Sequence, residues 1–539
     1  MASYLLHHRP QRIGMRPAAT PIRPSVDRLS WLWLVIGAAL LPFTSLVPSL
    51  WLATWLAPVF LLRFARTQRA WVGIPLIALV QAIALGSNWY LGTAPSPLAA
   101  SGVGVGLLAT LAYLIDRLLT PRLAGLARTL VFPLALTTID WLGSILASLL
   151  TRWLVPSLLA VSGTWDSPGY SQAGLLPLVQ IVAVTGLWGL TFLIAWFASV
   201  ANAVWEQRGL GRAARGPVLG FCAALLAVLG FGVVRLVLLL PTAPAVRVAT
   251  IAPVEDLFAT ISDLNPGTLM PGTPTQRADA GAQFAPIADD LFRRSAQAAQ
   301  DGARIIAWGE TAAPVLEEDV PTLLARAAAL ARQQGIYLQL GVIVFRATDR
   351  YPFLENRAIL LDPSGATVWD YHKARPTPGE NQMVTAGPPV VPFVTTPYGR
   401  LATVICYDAD FPDLVRQAGQ AGADILLVPS KDWQSVSRQH ARMATFRAIE
   451  GGFWVVRPVS SGISEVVDPH GRVVARTDSF SGVEPTATAV IVSRSTPTPY
   501  VRFGDWFAYA CIAGLGALAT WALVRRSRIS VPVPQVVGR

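Results

Sequence analysis

The sequence predicts two structural regimes in one chain: a multi-span α-helical membrane domain and, after it, a layered α/β domain. Three observations predict this. At 53% hydrophobic and only 14% charged over 539 residues, the chain is too apolar for an ordinary soluble protein. The apolar content is uneven, because residues 29–62, 71–115 and 167–205 contain no Asp, Glu, Lys or Arg. From about 245 to 500, by contrast, short β-rich runs alternate with helical ones.

A helix needs roughly 20 apolar residues to cross a hydrocarbon core of about 30 Å. Such runs lie at about 31–47, 49–62, 71–91, 100–118, 129–150, 173–204 and 217–238, with an eighth at about 505–524. The first two are short and interrupted by Pro42, Pro48 and Pro58, which also suits one kinked hairpin, and the sixth is long enough to tilt. Arg9, Arg12, Arg16, Arg23 and Arg28 precede the first span, and Arg63, Arg66 and Arg69 follow the second. Arg117, Arg122 and Arg128 follow the fourth, and Arg208, Arg212 and Arg215 the sixth. Every second loop is therefore basic, which by the positive-inside rule predicts a cytoplasmic N-terminus and an α/β block on the outer face. Arg525, Arg526 and Arg528 after the last span agree with that orientation. These flanks account for the net charge of +11 without a nucleic-acid partner.

The expected organisation is a basic cytoplasmic arm at 1–28 without a cleavable signal pattern, a transmembrane domain of about seven helices at 29–241, and an α/β domain at 242–500. A transmembrane helix at 501–526 and a cytoplasmic tail at 527–539 complete it. Within the α/β block, "VRVATIAPV", "RIIAWGE", "IYLQLGVIVF", "NRAILLDPSG", "ATVWDYHK", "RLATVICYD", "DILLVPS", "FWVVRPVS" and "ISEVVDPHGRVV" read as strands. Helices are expected at "FRRSAQAAQDGA", "VPTLLARAAALARQQG", 411–421 and 437–452, and "DPSG" and "DPHG" signal hairpins.

Three of these strands finish on a reactive residue: Glu310, Lys373 and Cys406. Strand C-termini collect chemistry in α/β folds because the backbone there is rigid and the loops beyond open a crevice. Each residue alone has an ordinary reading, as a buried thiol, a helix N-terminal charge and a snorkelling lysine. Together they suit acyl transfer through a thioester, in which Glu310 serves as base for the Cys406 thiol and Lys373 stabilises the oxyanion. Three cysteines are too few for a disulfide framework, and Cys222 and Cys511 in apolar spans are expected to be packing residues. The five histidines lack metal-ligand spacing, no phosphate-binding glycine pattern follows a strand, and the chemistry asks for no cofactor.

With the helix "QHARMATFRAIEGG" after the cysteine, the order Glu, Lys, Cys resembles the nitrilase superfamily, whose catalytic domain is an α-β-β-α sandwich. The stretches "GYSQAGLLPLVQIVAVTGLWGLTFLIAWFASVANAV", "WGETAAP", "LENRAILLDPSG", "ICYDADFP", "RQHARMATFRAIE", "VSSGISEVVDPHGRVV" and "YVRFGDW" resemble, in that order, the apolipoprotein N-acyltransferase family. The resemblance spans about residues 31–524. It implies that Cys406 takes an acyl chain from a membrane phospholipid and passes it to the α-amine of a diacylglyceryl-cysteine at a lipoprotein's N-terminus. Glu380 in "RPTPGE" stands in the place of the family's auxiliary glutamate, and Asn356, Asp408 and Trp433 are further candidates for auxiliary or substrate-binding roles. Asp408 replaces the usual glutamate, the segment between Lys373 and Glu380 is shorter, and "PSKDW" replaces a more common wording. A membrane-tethered amidase, whose thioester is hydrolysed by water, uses the same triad; a lipid-binding or assembly protein on the same fold would not need it.

Overall fold

The computed structural model of the chain describes residues 27–44, 49–93, 97–153, 163–238, 245–253, 272–481, 486–492 and 494–527. Arg9, Arg12, Arg16 and Arg23 of the expected basic arm, Pro48, and residues 528–539 of the expected tail lie outside the described residues. The apolar first part forms helices α1 (Ser30–Leu40), α2 (Trp51–Thr67), α3 (Ala70–Thr93), α4 (Pro97–Leu119), α5 (Gly125–Trp153), α6 (Trp188–Glu206) and α7 (Arg212–Leu238). Five described helices, counting one near the C-terminus, are long and apolar enough to cross a membrane: Val103–Arg122, Gly125–Leu146, Trp188–Glu206, Arg212–Leu238 and Trp506–Val524. Ser30–Thr44, Ala70–Gly86 and Leu176–Thr185 are shorter apolar helical stretches. The first two expected spans are helices α1 and α2, which pack on each other.

The sixth expected span, 173–204, is not one tilted helix. Single helical turns at Leu176–Val179 and Val182–Thr185 precede α6, and Gly186 between them and α6 has φ +63. That left-handed conformation ends a helix at little cost only for glycine. The broken segment is held from both parts of the chain: Gln180 Nε2 donates to the His470 carbonyl at 2.8 Å, and Arg235 of α7 donates to Gln180 Oε1 at 3.0 Å. Hydropathy does not see this break, because apart from Gln180 every residue of 173–187 is apolar or small.

The α/β part comprises strands β1 (Ala245–Ile251), β2 (Ile305–Trp308), β3 (Ala313–Leu316), β4 (Tyr337–Phe345), β5 (Leu354–Leu361), β6 (Thr367–His372), β7 (Phe393–Thr396) and β8 (Gly399–Thr403). It continues with β9 (Ile425–Leu427), β10 (Ser430–Lys431), β11 (Trp454–Arg457), β12 (Val459–Ser460), β13 (Ile463–Val467), β14 (Val473–Asp478) and β15 (Thr486–Val492). Among the described residues they form a seven-stranded sheet in the order β15-β1-β2-β4-β5-β6 with β3 on β4, a six-stranded sheet in the order β14-β13-β11-β9-β8-β7, and the short pair β10-β12. The "DPSG" and "DPHG" turns close antiparallel pairs β5–β6 and β13–β14, as their turn chemistry predicts.

The two large sheets face each other across one core that includes Val248, Ile305, Leu360 and Trp369 from the first and Leu401, Ile425, Val456 and Val466 from the second. Helices α8 (Pro274–Gln300) and α9 (Val320–Gln334) cover the outer face of the first sheet, and α10 (Pro412–Gln420) and α11 (Gln434–Gly451) that of the second. The result is the α-β-β-α sandwich that the resemblance implied. Helix α12 (Trp506–Ser527) returns to the apolar helices, where Asp505 accepts from Trp188 Nε1 at 2.8 Å, Trp141 Nε1 at 3.0 Å and the Tyr500 hydroxyl at 3.0 Å.

Candidate active site

Glu310, Lys373 and Cys406 stand just beyond their strands rather than on the last strand residue. Glu310 follows β2 by two residues, Lys373 follows β6 directly, and Cys406 opens a 3-10 turn, Cys406–Asp410, three residues after β8. Each backbone is pinned to a neighbour: Glu310 N–H donates to the Ser430 carbonyl at 3.2 Å, Lys373 N–H to Asn356 at 2.9 Å, and Cys406 N–H to Pro429 at 2.8 Å. Cys406 has φ +47, a conformation that costs a non-glycine residue about 1–3 kcal/mol and persists where surroundings over-determine it.

The three side chains are buried, at 2% exposure for Glu310, 1% for Lys373 and 4% for Cys406. Lys373 Nζ lies 2.7 Å from Glu310 Oε1 and 2.7 Å from Glu380 Oε2, so one ammonium joins two carboxylates. Asn356 Nδ2 donates to the same Glu310 oxygen at 2.7 Å, and Thr377 N–H donates to Glu380 Oε2 at 2.9 Å. Burial alone would lower the Lys373 pKa, but Glu310, Glu380 and Cys406 outweigh it and hold the lysine charged. Burial would raise Glu380, yet Lys373 keeps it below the ordinary carboxylate value. The Cys406 thiol is pushed up by burial and then by Glu310, with Lys373 opposing, so the resting sulfur is protonated. Its Sγ faces the Lys431 carbonyl at 3.6 Å. Glu310 and Lys373 thus both act on the thiol electrostatically, in opposite directions.

Asp408, fully buried, ties the cysteine turn to the lysine strand. It accepts from Ile405 N–H at 3.0 Å, Tyr371 O–H at 2.8 Å, Arg375 N–H at 2.8 Å and Ala374 N–H at 3.4 Å. Burial raises its pKa to about 6 against these donors. It is thus a brace between the two segments and not a surface turn acid. Trp433 stands at the start of α11 with 47% of its surface exposed, and Asn356 is 1% exposed.

By sequence alone, His440 on the helix after Cys406 suits a position at the site or at the surface, and Asp410, Asp432 and Arg457 do not stand out as a group. All four are buried. His440 Nδ1 lies 2.7 Å from Asp432 and Nε2 lies 2.9 Å from Asp410, while Arg457 Nη2 reaches Asp432 Oδ2 at 2.9 Å. Burial would lower the imidazole pKa, but the two aspartates raise it to about 9. Ligand atoms of Cys406, Asp432 and His440 lie within 4.8 Å of one another, and His440, Asp410, Asp432 and Arg457 together form a buried network of ion pairs. The available signal was Arg457 inside the apolar run "FWVVRP", since a charge in a buried strand needs a buried partner. The network reaches the apolar helices too: Thr164 donates to the Asp410 carbonyl at 3.2 Å, and the Trp165 ring lies 5.1 Å from His440. Of the two other cysteines, Cys511 is buried as expected but Cys222 is exposed on α7.

The fold is an α-β-β-α sandwich carried on apolar helices, and residues 278–497 match the carbon-nitrogen hydrolase family. Beyond that domain, the chain is similar to curated proteins named apolipoprotein N-acyltransferase. The one from Geobacter metallireducens is 29% identical over 396 residues, covering 67% of this chain and 70% of that protein. The one from Caulobacter vibrioides is 28% identical over 471 residues, covering 81% of each. Among solved structures, an amidase from Nesterenkonia sp. aligns with 18% identity and a TM-score of 0.37, over 50% of this chain and 97% of that one.

Proposed function

We propose that the protein is a membrane acyltransferase that moves a fatty acyl chain from a phospholipid, through a thioester on Cys406, to the α-amine of a lipoprotein's N-terminal diacylglyceryl-cysteine. The observation that carries this reading is the Lys373 ammonium held at 2.7 Å by both Glu310 and Glu380, beside a buried thiol in a chain with membrane-type helices. Names of the relatives support the same chemistry.

In the first half-reaction Glu310 removes the Sγ proton as sulfur attacks the ester carbonyl. The oxyanion of the tetrahedral intermediate forms against Lys373, whose charge is already fixed by its two carboxylates and needs no reorganisation. The C–O bond then breaks, and Glu310 returns its proton to the departing lysophospholipid alkoxide. In the second half-reaction the incoming amine attacks the thioester, Glu310 takes the amine proton, and the sulfur leaves and is reprotonated as the amide forms.

The test is intact-mass measurement of the purified protein after incubation with phospholipid. One acyl chain on Cys406, lost on addition of a diacylglyceryl-cysteine peptide that gains it, is the expected result. Glu310→Gln should show no adduct, because the raised thiol pKa leaves no thiolate without a base. Loss of the acyl chain as free acid, with none on the peptide, would assign the protein to the amidase alternative.

We also infer a cytoplasmic-membrane location with the α/β domain on the outer face, resting on the alternating basic loops. A reporter fused after residue 242 should lie outside the cytoplasm and one fused after residue 210 inside it. Both on one side would mean that α7 does not cross.

A further inference from the structure

We propose that a cationic patch where the N-terminal end of α2 meets α11 binds the phosphate of an anionic phospholipid headgroup. This site is separate from the acyl-transfer reading and involves no reaction. Arg438 and Arg442 lie one turn apart on α11 and therefore share a face, whereas His440 between them turns inward to Asp410 and Asp432. Arg438 is exposed, and no ion pair occurs at Arg438 or Arg442 among the described residues. Arg442 donates to the hydroxyl of Ser49, the second residue before α2. Arg476 on β14 carries a third guanidinium nearby and pairs with Glu465. Burial first, then Arg438 and Arg476, lower the Arg442 pKa.

Arg442 is thus a half-buried cation whose partner is a hydroxyl and whose other neighbours include two cations. A charge taken out of water is stabilised by an opposite charge with hydrogen-bonding oxygens, which Ser49 does not provide. Two guanidiniums on one helix face match phosphate oxygens, which they contact through paired N–H groups. The surroundings select a lipid over a free anion. Leu50, Trp51 and Leu52, directly after Ser49, are 54%, 50% and 49% exposed, so apolar surface adjoins the cations as headgroup and acyl chains require.

Native mass spectrometry of the full chain in detergent tests this, with phosphatidylglycerol and phosphatidylethanolamine of identical acyl chains as probes. Wild type should retain phosphatidylglycerol preferentially. Each arginine removed should weaken that retention about fivefold, so Arg438→Gln with Arg442→Gln should weaken it roughly 25-fold, while phosphatidylethanolamine, whose own ammonium offsets its phosphate, is weakened less and an unchanged thermal melt reports an intact fold. Arg438→Lys with Arg442→Lys, which keeps the charge but loses the paired N–H groups, should lose less of the preference than the Gln pair. Equal retention of both lipids by wild type, an unchanged preference in the Gln pair, or a loss as large in the Lys pair as in the Gln pair would overturn the proposal. Displacement of phosphatidylglycerol by millimolar inorganic phosphate as effectively as by more of the lipid would also overturn it, since a free anion makes no use of the apolar rim.

Discussion

Cys406→Ala is expected to abolish acyl transfer, with a loss on the order of 10⁶ in kcat, the scale seen when a covalent nucleophile is removed and only binding and electrostatic stabilisation remain. Cys406→Ser should be nearly as inactive. A hydroxyl is far less acidic than a thiol, and the surroundings already disfavour the thiolate through burial and Glu310. The alanine variant should remain folded, because a thiol in a tight turn is replaced by a smaller group and the backbone bond from Cys406 to Pro429 is kept. Its left-handed φ of +47 is equally tolerated by alanine and cysteine. Single-turnover labelling with a phospholipid carrying a reporter on its acyl chain measures the loss. Appreciable transfer by Cys406→Ala would remove the thioester from the mechanism altogether.

Lys373→Met is expected to slow both half-reactions by about 10² to 10³, the usual result of removing one preorganised donor from an oxyanion. The same change should cost stability, because it leaves Glu310 and Glu380 facing a methyl thioether where an ammonium stood; breaking a buried pair in this way costs about 3–5 kcal/mol. The sign with pH follows from Glu380. Its folded pKa is depressed by Lys373, so in wild type it contributes stability that is present above the unfolded carboxylate pKa and lost as pH falls through the folded value. Lys373→Met lacks that contribution, so its deficit should be largest near pH 7 and shrink as pH falls below the unfolded carboxylate pKa and through the depressed folded value of Glu380. Thermal melts of wild type and variant across that range, with the labelling assay at pH 7, provide the measurement. A deficit independent of pH would place the ammonium outside the carboxylate pair, and wild-type rates in both steps would remove Lys373 from the chemistry.

Composition and local pattern alone determined the division between apolar helices and a mixed sandwich, because hydropathy over one helix length and period-two runs over one strand are properties of contiguous residues. They also marked Glu310 and Cys406, since a polar residue that closes a buried apolar run stands out wherever the run folds, and Lys373 as the residue that ends the partly exposed strand β6. What the sequence left undecided were the partners. Lys373 meets Glu310 across 63 residues, His440 meets Asp410 across 30, and Arg442 meets Ser49 across 393. Such pairings depend on how the two sheets stack and how α11 lies over the helix ends, which no local pattern encodes. Asp408 shows the same limit: its residue type allowed a turn acid or a brace, and only the approach of Tyr371, Ala374 and Arg375 from the lysine strand made it a brace. The break before α6 was invisible for a related reason. Gly186 is permissive in either hand, and it takes the left-handed one, φ +63, where the Tyr500 ring lies so close that a Cβ on residue 186 would come within 2.5 Å of it.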